Sequence, residues 1–492
     1  MWLDVGVINA RVTKSTPEEL TWLRDYLSFS NPKSRFNGGP SRISQLNEFN
    51  CAFPAGLVPM VVRAAASSSF TVDIFDRRTK PCERDSTADL SWLRDYQLEA
   101  VNRVVDRERG ILWLPTASGK TEIFVGLVRA LPCKWLFVVH RAQLAEQAAA
   151  RYETRAREAG SPEVVGRIVE GNWCEGARVT VATFQTLVAA KKKGSKLLEK
   201  LRRDTQAICI DEAHVLPAAT YGAIANSFTN AYYRVGLSGT PLARGDRRSA
   251  LAIATLGPII YKLRADVLVD AGVLAKPTIK MVECVVSQDD IVDGEKTGRK
   301  KTNWADAYGR HITKSKSRNA RVIEAAVRAP KPAFLFVREI EHGKLLVSEL
   351  AKRGLQVRFV WGAQETTERD SLVRDLVVGS LDVLVCSVVF QEGIDVPKLK
   401  SVIVASGGES VIATLQRIGR GMRVGRDEQG NTTKTTFEVV DFLDTGCGCE
   451  VAAKSLGTPG VGVHSACKWL PKHAKKRRAA YLKEGHELTH DQ

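Results

Sequence analysis

Residues 115–121 combine a glycine, a lysine and a threonine in a pattern that can hold phosphate groups. The segment consists of Pro115, Thr116, Ala117, Ser118, Gly119, Lys120 and Thr121. An apolar run, 111–114, precedes it, and a helix-like stretch, 121–131, follows it. In such a loop, backbone N–H groups at the helix start face phosphate oxygens, the lysine reaches the outer phosphates and the threonine hydroxyl binds Mg²⁺. The strict GxxxxGK[ST] pattern is not met, because Leu114 occupies its first glycine position and Ala117 stands where a glycine is usual.

Two carboxylates follow a second apolar run, 207–210, in the order Asp211-Glu212-Ala213-His214. Ligands of open α/β sheets bind beyond the carboxyl ends of the strands. Asp211 at such an end can hold Mg²⁺, and Glu212 can orient and deprotonate an attacking water. Acidic pairs at strand ends are also often solvated loop residues, but the two motifs in this order predict a Mg²⁺-dependent nucleoside triphosphatase.

A basic segment, 416–423, reads QRIGRGMR within a predicted helix, 411–424. On a helix, Gln416, Arg420 and Arg423 stand at i, i+4 and i+7 and share one face. Two arginines on this face are predicted to stabilise charge on a transferring phosphoryl group. The alternative is an ordinary surface helix, which would have little reason to carry the glycines at 419, 421 and 425.

Short apolar runs alternate with helical segments in two successive stretches, 89–272 and 273–446. This alternation predicts an α/β fold with two tandem domains, each built on a parallel sheet covered by helices on both faces. Residues 1–88 are predicted to form a small mixed α/β N-terminal domain that could bind DNA. Residues 447–492 are predicted to form a short basic C-terminal tail.

The charge balance predicts a polyanionic partner. Among 492 residues, 72 are Lys or Arg and 55 are Asp or Glu, so the formal net charge is +17. Such an excess favours nucleic acid over a membrane surface. We found no apolar run long enough to span a bilayer and no basic leader, and the ten cysteines are scattered. We therefore expect a reduced, cytoplasmic protein, in the host cytoplasm if a phage encodes it.

The ordered motifs over residues 92–446 resemble those of superfamily 2 helicases of the DExH type. The resemblance implies two RecA-like domains with ATP and Mg²⁺ between them, and metal ligation by Thr121 and Asp211. It implies that the seven residues 115–121 contact ATP together with five others. These are Arg94, Tyr96 and Gln97 in LRDYQ, and Gly393 and Asp395 in SVVFQEGIDVP. It also implies catalytic roles for Lys120, Asp211, Glu212, Gln416, Arg420 and Arg423.

The same resemblance implies coupling and nucleic-acid-binding residues. The residues implied to couple hydrolysis to domain movement are His214, Ser238, Gly239 and Thr240. The implied nucleic-acid contacts of the core are His140, Arg141, Thr183, Gln185 and Arg338. In the basic tail, we predict contacts from Lys475, Lys476, Arg477 and Arg478. A second basic run, 191–203, is equally compatible with nucleic-acid binding and with a solvated helix face.

Within the superfamily, the chain looks most like the UvsW-like branched-DNA helicases of tailed phages. The resemblance rests on LRDYQ, LSGTP, GIDVP and the small N-terminal domain. It implies an ATP-dependent DNA helicase or translocase that remodels forks, four-way junctions or displaced strands in replication, recombination or repair. An RNA helicase with the same core, and a nucleic-acid-stimulated ATPase switch without strand separation, remain alternatives. A monomer is compatible with the sequence.

Four residues near the C-terminus invite a zinc interpretation: Cys447, Cys449, His464 and Cys467. Their C-x-C and H-x-x-C spacings differ from the common structural zinc patterns, in which two to four residues separate paired cysteines. Free cysteines are therefore the favoured interpretation.

Overall fold

Two compact units make up the chain in the computed structural model. The first contains Met1–Leu114 and Gly119–Leu263, and the second contains Pro115–Ser118 and Arg264–Gln492. The second unit thus starts at Arg264, slightly before the predicted boundary at 272. The structure describes residues 1–30, 42–216, 218–239, 249–285, 304–362, 364, 366–387, 396, 398–410, 414, 418–419, 421–426, 429, 432–446 and 465–491. Within these ranges, no helix has the length and apolar character needed to cross a membrane.

The N-terminal domain of the first unit has a four-stranded sheet in the order β5-β2-β1-β6 and a separate hairpin, β3-β4. Its elements are β1 (Trp2–Val5), β2 (Asn9–Lys14), α1 (Pro17–Tyr26), β3 (Ser28–Ser30), β4 (Arg42–Ser44), β5 (Ala52–Pro54), α2 (Val58–Ser67) and β6 (Asp73–Asp76). A capping box starts α1, because the Thr16 hydroxyl accepts from the Glu19 N–H and the Glu19 carboxylate accepts from the Thr16 N–H. Leu3, Leu23 and Val61 fill the core between sheet and helices.

The N-terminal domain packs tightly on the α/β domain that follows it in the same unit. The buried Arg109 guanidinium donates to the carbonyl oxygens of Val7, Thr255 and Leu256, which lie on both sides of the contact. Gly56 lies against the backbone of residue 253, where an added Cβ would come within 2.3 Å of a carbonyl oxygen. These buried polar and close backbone contacts join the two domains into one body.

The α/β domain of the first unit is built on an eight-stranded sheet in the order β10-β9-β11-β8-β12-β13-β7-β14. Every neighbouring pair is parallel except β9-β10. The strands are β7 (Arg109–Trp113), β8 (Trp135–Val139), β9 (Gly166–Val169), β10 (Asn172–Cys174), β11 (Val179–Thr183), β12 (Ala207–Asp211), β13 (Tyr233–Ser238) and β14 (Ile259–Lys262). The helices are α3 (Asp95–Arg107), α4 (Lys120–Ala130), α5 (Ala142–Glu158), α6 (Phe184–Lys192), α7 (Lys196–Asp204), α8 (Ala219–Ala225) and α9 (Ser249–Leu256). Hydrophobic clusters on both sheet faces explain why the central strands are continuous apolar runs.

The second unit repeats this architecture with seven strands, all paired in parallel, in the order β17-β18-β16-β19-β22-β15-β23. Its sheet strands are β15 (Lys276–Val285), β16 (Ala333–Val337), β17 (Val357–Val360), β18 (Val383–Ser387), β19 (Ser401–Val404), β22 (Thr436–Thr445) and β23 (Leu488–Asp491). A small hairpin adds β20 (Gly425–Arg426) and β21 (Thr432–Lys434). The helices are α10 (Ala265–Asp270), α11 (Trp304–Tyr308), α12 (Lys316–Arg328), α13 (Ile340–Lys352), α14 (Thr366–Val378) and α15 (Ser465–Lys483). Two parallel-sheet domains are thus present, as predicted.

The described C-terminal residues belong to the second sheet domain, which corrects the prediction of a basic tail. Helix α15 packs on β22, and β23 pairs with β15 at the edge of the sheet. The Arg477 side chain is fully buried, lying 3.0 Å from Asp441 and 3.6 Å from Asp444. Its guanidinium also donates to the carbonyl oxygens of Gly408 and Phe442. Arg477 therefore holds α15 on the sheet, and its predicted role as a nucleic-acid contact is wrong.

The basic segment 416–423 also departs from its predicted form. Residues 414, 418 and 419 are helical, but the chain turns at Gly421, and Arg423 forms an isolated antiparallel bridge with Leu274. Arg423 therefore lies beyond the helix, and the shared helical face predicted for Gln416, Arg420 and Arg423 is wrong for Arg423. Gln416 and Arg420 lie outside the described residues.

We expect Arg477→Ala to destabilise the second unit by about 3–5 kcal/mol, because it leaves the buried Asp441 carboxylate without its cation. Thermal unfolding and limited proteolysis of the full chain measure the loss. The matched control is Arg478→Ala, since the adjacent Arg478 side chain is exposed and its removal should change stability by less than about 0.5 kcal/mol. Equal stability of the two variants would contradict the structural role of Arg477.

Candidate functional site

The loop between β7 and α4 has the backbone form that a phosphate-binding segment needs. The buried Leu114 directly follows β7, and its N–H donates to the carbonyl oxygen of Ser238. Gly119 adopts φ +80° immediately before α4, and Ala117 adopts φ +67°. Both angles lie in the left-handed region that favours glycine, which explains why a glycine is usual at position 117. The first N–H groups of α4 are thereby directed toward the loop, where they can bind an anion.

Gln97, in the segment predicted to recognise adenine, lies against this loop. Its side chain is buried at the start of α3, and its Oε1 accepts from the Arg94 N–H. An added Cβ at Gly119 would lie 2.4 Å from the Gln97 Nε2. The Arg94 guanidinium donates to the Tyr96 hydroxyl at 3.4 Å, so the three predicted adenine-site residues cluster at one helix start.

Lys120, Asp211 and Glu212 come together where β7 and β12 end. The Lys120 Nζ lies 3.5 Å from the Glu212 Oε1, and the two side chains are only 13% and 16% exposed. The Glu212 N–H donates to the Asp211 Oδ1 at 3.0 Å. Glu212 itself adopts the left-handed conformation, with φ +49°, and strained backbone of this kind concentrates at functional sites.

The two carboxyl groups have opposite pKa shifts. Burial and the negative charge of Glu212 raise the pKa of Asp211 to about 6. Burial also acts to raise the pKa of Glu212, but the charge of Lys120 and the hydrogen bond with His214 outweigh it and lower that pKa below its usual range. Glu212 is therefore the more firmly ionised carboxylate, and it can accept a hydrogen bond from a water molecule.

A short polar chain connects Glu212 to the end of β13. The buried His214 Nδ1 lies 3.2 Å from the Glu212 Oε2 and 3.1 Å from the Ser238 Oγ. Gly239 follows Ser238 directly, and Thr240 lies outside the described residues. The structure thus brings together the predicted coupling residues His214 and Ser238 next to the acidic pair.

This arrangement fits a nucleoside triphosphate with Mg²⁺. The Lys120 Nζ is buried and has no hydrogen-bond partner among the residues the structure describes, so a phosphate oxygen can be its acceptor. Lys120 and Thr121 begin α4, where the helix dipole also favours an anion. Thr121 and Asp211 supply the oxygen ligands that Mg²⁺ prefers. Lys120, Thr121 and Asp211 would hold the group.

The predicted nucleic-acid residues of the first unit have different roles. Gln185, which is exposed, donates from its Nε2 to the His140 carbonyl oxygen at 2.7 Å, so these two residues lie together where β8 and β11 end. Arg141 is half-buried at the start of α5. Thr183 is buried, and its hydroxyl accepts from the Thr186 N–H to cap α6. The Thr183 side chain is therefore structural, and its predicted nucleic-acid contact is not supported.

In the second unit, the predicted contacts Arg338, Lys475, Lys476 and Arg478 all expose their side chains. The Arg338 guanidinium lies 5.1 Å from the centre of the Tyr308 ring, and the Lys476 Nζ lies 2.6 Å from a Glu409 carboxylate oxygen. Exposed cations of this kind are available to phosphate groups.

Several predictions fall outside the described residues. These concern Gly393, Asp395, Cys447, Cys449 and His464, and for Cys467 only the backbone, in α15, is described.

Sequence reasoning missed a cavity of about 550 Å³ in the second unit, lined in part by Trp304, Trp469 and His473. Trp469 and His473 stand in a segment that sequence reasoning treated only as a basic run. Their helical spacing of four residues was the available signal.

Comparison with known families gives two matches. A family model of the type III restriction enzyme res subunit matches residues 91–243, and a model of the helicase conserved C-terminal domain matches residues 318–425. The first match contains the Lys120–Glu212 site, and the second contains Arg338 and Arg423.

The chain is similar to curated helicases over much of its length. It is 26% identical over 505 residues to the ATP-dependent DNA helicase uvsW of Enterobacteria phage T4, covering 95% of this chain and 94% of that protein. It is 29% identical over 339 residues to the Rad25 relative from Halobacterium salinarum, covering 68% of this chain but only 52% of that protein. The match thus spans about half the length of the Rad25 relative.

A solved structure, S. cerevisiae Dbp5 bound to RNA and ADP BeF3, shares the fold. The TM-score is 0.50 at 18% identity, and the match covers 81% of this chain and 89% of Dbp5. This likeness supports two RecA-like domains.

We expect Gly119→Ala to weaken ATP binding by roughly tenfold or more, because the added methyl group would displace Gln97 and misplace the start of α4. The matched control is Gly171→Ala, since Gly171 has φ +87° but open space around its Cα. Both variants carry the left-handed strain of about 1 kcal/mol, and only the first should lose affinity for a fluorescent ATP analogue. Unchanged affinity in Gly119→Ala would contradict the contact argument.

Proposed function

We propose that this chain, a superfamily 2 helicase resembling the UvsW-like helicases of tailed phages, uses ATP to unwind or branch-migrate branched DNA in replication, recombination or repair. The observation that carries the ATPase part is the buried Lys120–Glu212 pair beside Asp211 at the carboxyl edge of a parallel sheet. The similarity to uvsW along nearly the whole length of both chains supports DNA as the substrate.

In the proposed mechanism, residues of the first unit bind ATP and prepare the attacking water. Lys120 and the first N–H groups of α4 bind the outer phosphates, and Thr121 and Asp211 hold the Mg²⁺. When bound, Mg²⁺ neutralises charge on the phosphates. Glu212, kept ionised by Lys120 and His214, orients the water and accepts its proton. Arg94, Tyr96 and Gln97 bind the adenine.

Residues of the second unit are proposed to complete catalysis. Gly393 and Asp395 contact the nucleotide, and Gln416, Arg420 and Arg423 stabilise the negative charge that develops on the transferring phosphoryl group. The exposure of the Arg423 side chain is compatible with this role.

The polar chain from Glu212 through His214 to Ser238 is proposed to couple hydrolysis to movement. Because His214 contacts both Glu212 and Ser238, a change in the charge environment of Glu212 alters the hydrogen bonding of Ser238. Gly239 and Thr240 follow in the chain and would pass this change on.

The strand is proposed to contact exposed groups near the carboxyl ends of both sheets. In the first unit these are the exposed Gln185 and the half-buried His140 and Arg141. In the second unit they are Arg338, Lys475, Lys476 and Arg478. The net charge of +17 supports phosphate contacts as the main source of affinity, so binding should weaken steeply with salt.

The experiment that tests this function compares ATPase stimulation and strand separation on matched substrates. The set contains single-stranded DNA, single-stranded RNA, simple duplex, fork and four-way junction. Preferential unwinding or branch migration of fork and junction DNA supports the proposal. Stronger stimulation by RNA would replace it with an RNA helicase, and stimulation without strand separation would replace it with an ATPase switch.

We expect Glu212→Gln to lower nucleic-acid-stimulated ATP turnover by roughly 10²–10⁴-fold while ATP and DNA binding persist, because the amide cannot accept the proton of the attacking water. Single-turnover hydrolysis and equilibrium binding measure the two effects. The control is Glu158→Gln on the exposed end of α5, where the carboxylate pairs only with Arg155 among the described residues. Normal turnover in Glu212→Gln would overturn the assignment.

We expect Arg423→Ala to bind ATP normally but to lose about 10³–10⁵-fold in hydrolysis, the effect expected on removing an arginine that stabilises the transferring phosphoryl group. Its control is Arg328→Ala, since Arg328 is 72% exposed and pairs with Glu324 on the surface of α12. A normal kcat in Arg423→Ala would remove Arg423 from the proposed site.

A further inference from the structure

The cavity of the second unit lies where two strands of its sheet end. Strand β16 ends just before Arg338, and β19 ends just before residues 405–410. Arg338 and residues 406–410 line the cavity, and α11 and α15 supply the remaining walls. The volume of about 550 Å³ is within the range of small-ligand sites.

Two tryptophans form an aromatic wall of this cavity. The ring centres of Trp304 and Trp469 are 6.2 Å apart and the planes are 69° from parallel. The His473 ring packs 4.4 Å from Trp304. Both tryptophans are only half-buried, so they present aromatic surface to the cavity that a flat ligand can cover.

The cavity also contains polar atoms that lack hydrogen bonds. The Ser406 and His473 side chains are 1% and 7% exposed. The Ser406 Oγ and the His473 Nδ1 are buried and have no hydrogen-bond partner in the described part of the chain. Buried polar atoms are normally paired, so these two favour a ligand with hydrogen-bonding groups at its edge.

The electrostatics of His473 leave its Nδ1 able to accept a hydrogen bond. Burial lowers the pKa of His473 below its usual value, so the ring is neutral. Its Nε2 lies 3.5 Å from a Glu409 carboxylate oxygen, which favours the proton on Nε2. The Nδ1 then carries a lone pair.

The cavity is surrounded by positive charge. Arg338 and Lys472 line it with exposed side chains. Glu409 is the acidic residue of the lining, and Lys476 neutralises it at 2.6 Å. Gly408 lines the cavity with its backbone alone, and the space beside its Cα is open. An anionic ligand with a flat ring therefore suits the cavity.

We infer that this cavity receives one nucleotide of the bound strand, with its base against Trp304 and Trp469 and its phosphate near Arg338 and Lys472. A nucleobase has flat faces that stack on aromatic rings and edge atoms that can pair with the Ser406 hydroxyl and the His473 ring. Stacking of this kind tolerates every base, so the grip is independent of sequence. The inference rests on the proposed function as a nucleic-acid translocase.

The test is a binding cycle with the full chain. Wild type and Trp469→Ala are titrated with a single-stranded DNA oligonucleotide and with an abasic strand of the same length. Trp469→Ala should lose about 5- to 100-fold in affinity for the strand with bases and little for the abasic strand. Trp469→Phe should retain most of the affinity, because it keeps an aromatic face. The control is Leu482→Ala, an exposed position of the same helix, which should behave as wild type.

A second variant covers the case in which Trp469→Ala does not fold. Ser406→Ala removes only the hydroxyl. It should lower the affinity for the strand with bases a few-fold more than the affinity for the abasic strand. Equal losses on both strands, or no loss on either, would overturn the inference.

Two further measurements test whether the cavity instead binds a free nucleotide, and whether the proposed function itself is wrong. If a free nucleoside monophosphate competes for the cavity as strongly as the DNA strand does, the cavity is a site for free nucleotides. That result would overturn the inference. A wild-type protein whose ATPase no nucleic acid stimulates would instead contradict the proposed function. The two failures are therefore distinguishable.

Discussion

A lysine ammonium group and two carboxylates share a mostly buried space where β7 and β12 end. Charges in such surroundings depend on one another, because each loses hydration that only its neighbours can replace. Lys120 keeps Glu212 ionised, and Glu212 in turn raises the pKa of Asp211. The left-handed backbone at Ala117 and Glu212 adds strain that the surrounding sheet must sustain. The rigid parallel strands are therefore what makes this concentration of charge possible.

The second unit uses buried charge for architecture. Arg477 lies near Asp441 and Asp444, and Arg318 pairs with Asp444 at 2.6 Å, all with side chains that are almost fully buried. The Tyr481 hydroxyl donates to Asp441 as well. This network holds α15 on β22, so the same helix has one buried face and one exposed basic face. A run of cations in a sequence can therefore contain both buried structural residues and exposed ones.

The elements that sequence alone predicts best are the central strands. The apolar runs 111–114 and 207–210 fall on β7 (Arg109–Trp113) and β12 (Ala207–Asp211), because strands buried on both faces are unbroken apolar runs. Strand β15 was not predicted, because Lys280 and Glu283 interrupt its apolar residues. Its strand conformation depends on parallel pairing with β22. The proximity of Lys120, Asp211 and Glu212 was predictable, because both segments lie at the carboxyl ends of parallel strands.

The role of Arg477 was less visible but not hidden. Leu470, Ala474 and Tyr481 are buried at helical spacing, and position 477 falls on the same face. An arginine on an apolar stripe needs buried acidic partners, and those lie in a strand more than thirty residues earlier in the chain. Sequence spacing can place such a residue in the core, whereas only the fold shows its partner.

The two proposed kinds of contact with nucleic acid rely on different physical forces. The exposed cations of the second unit would hold the phosphates of a nucleic acid through charge, and rising salt concentration weakens such contacts steeply. The cavity at Trp304 and Trp469 offers stacking and short hydrogen bonds, which ionic strength changes far less. A nucleic-acid strand held both by its phosphates and by a stacked base would keep a contact with the second unit when its phosphate contacts loosen. Such a contact would let a motor release its electrostatic grip during each cycle without losing its place on the strand.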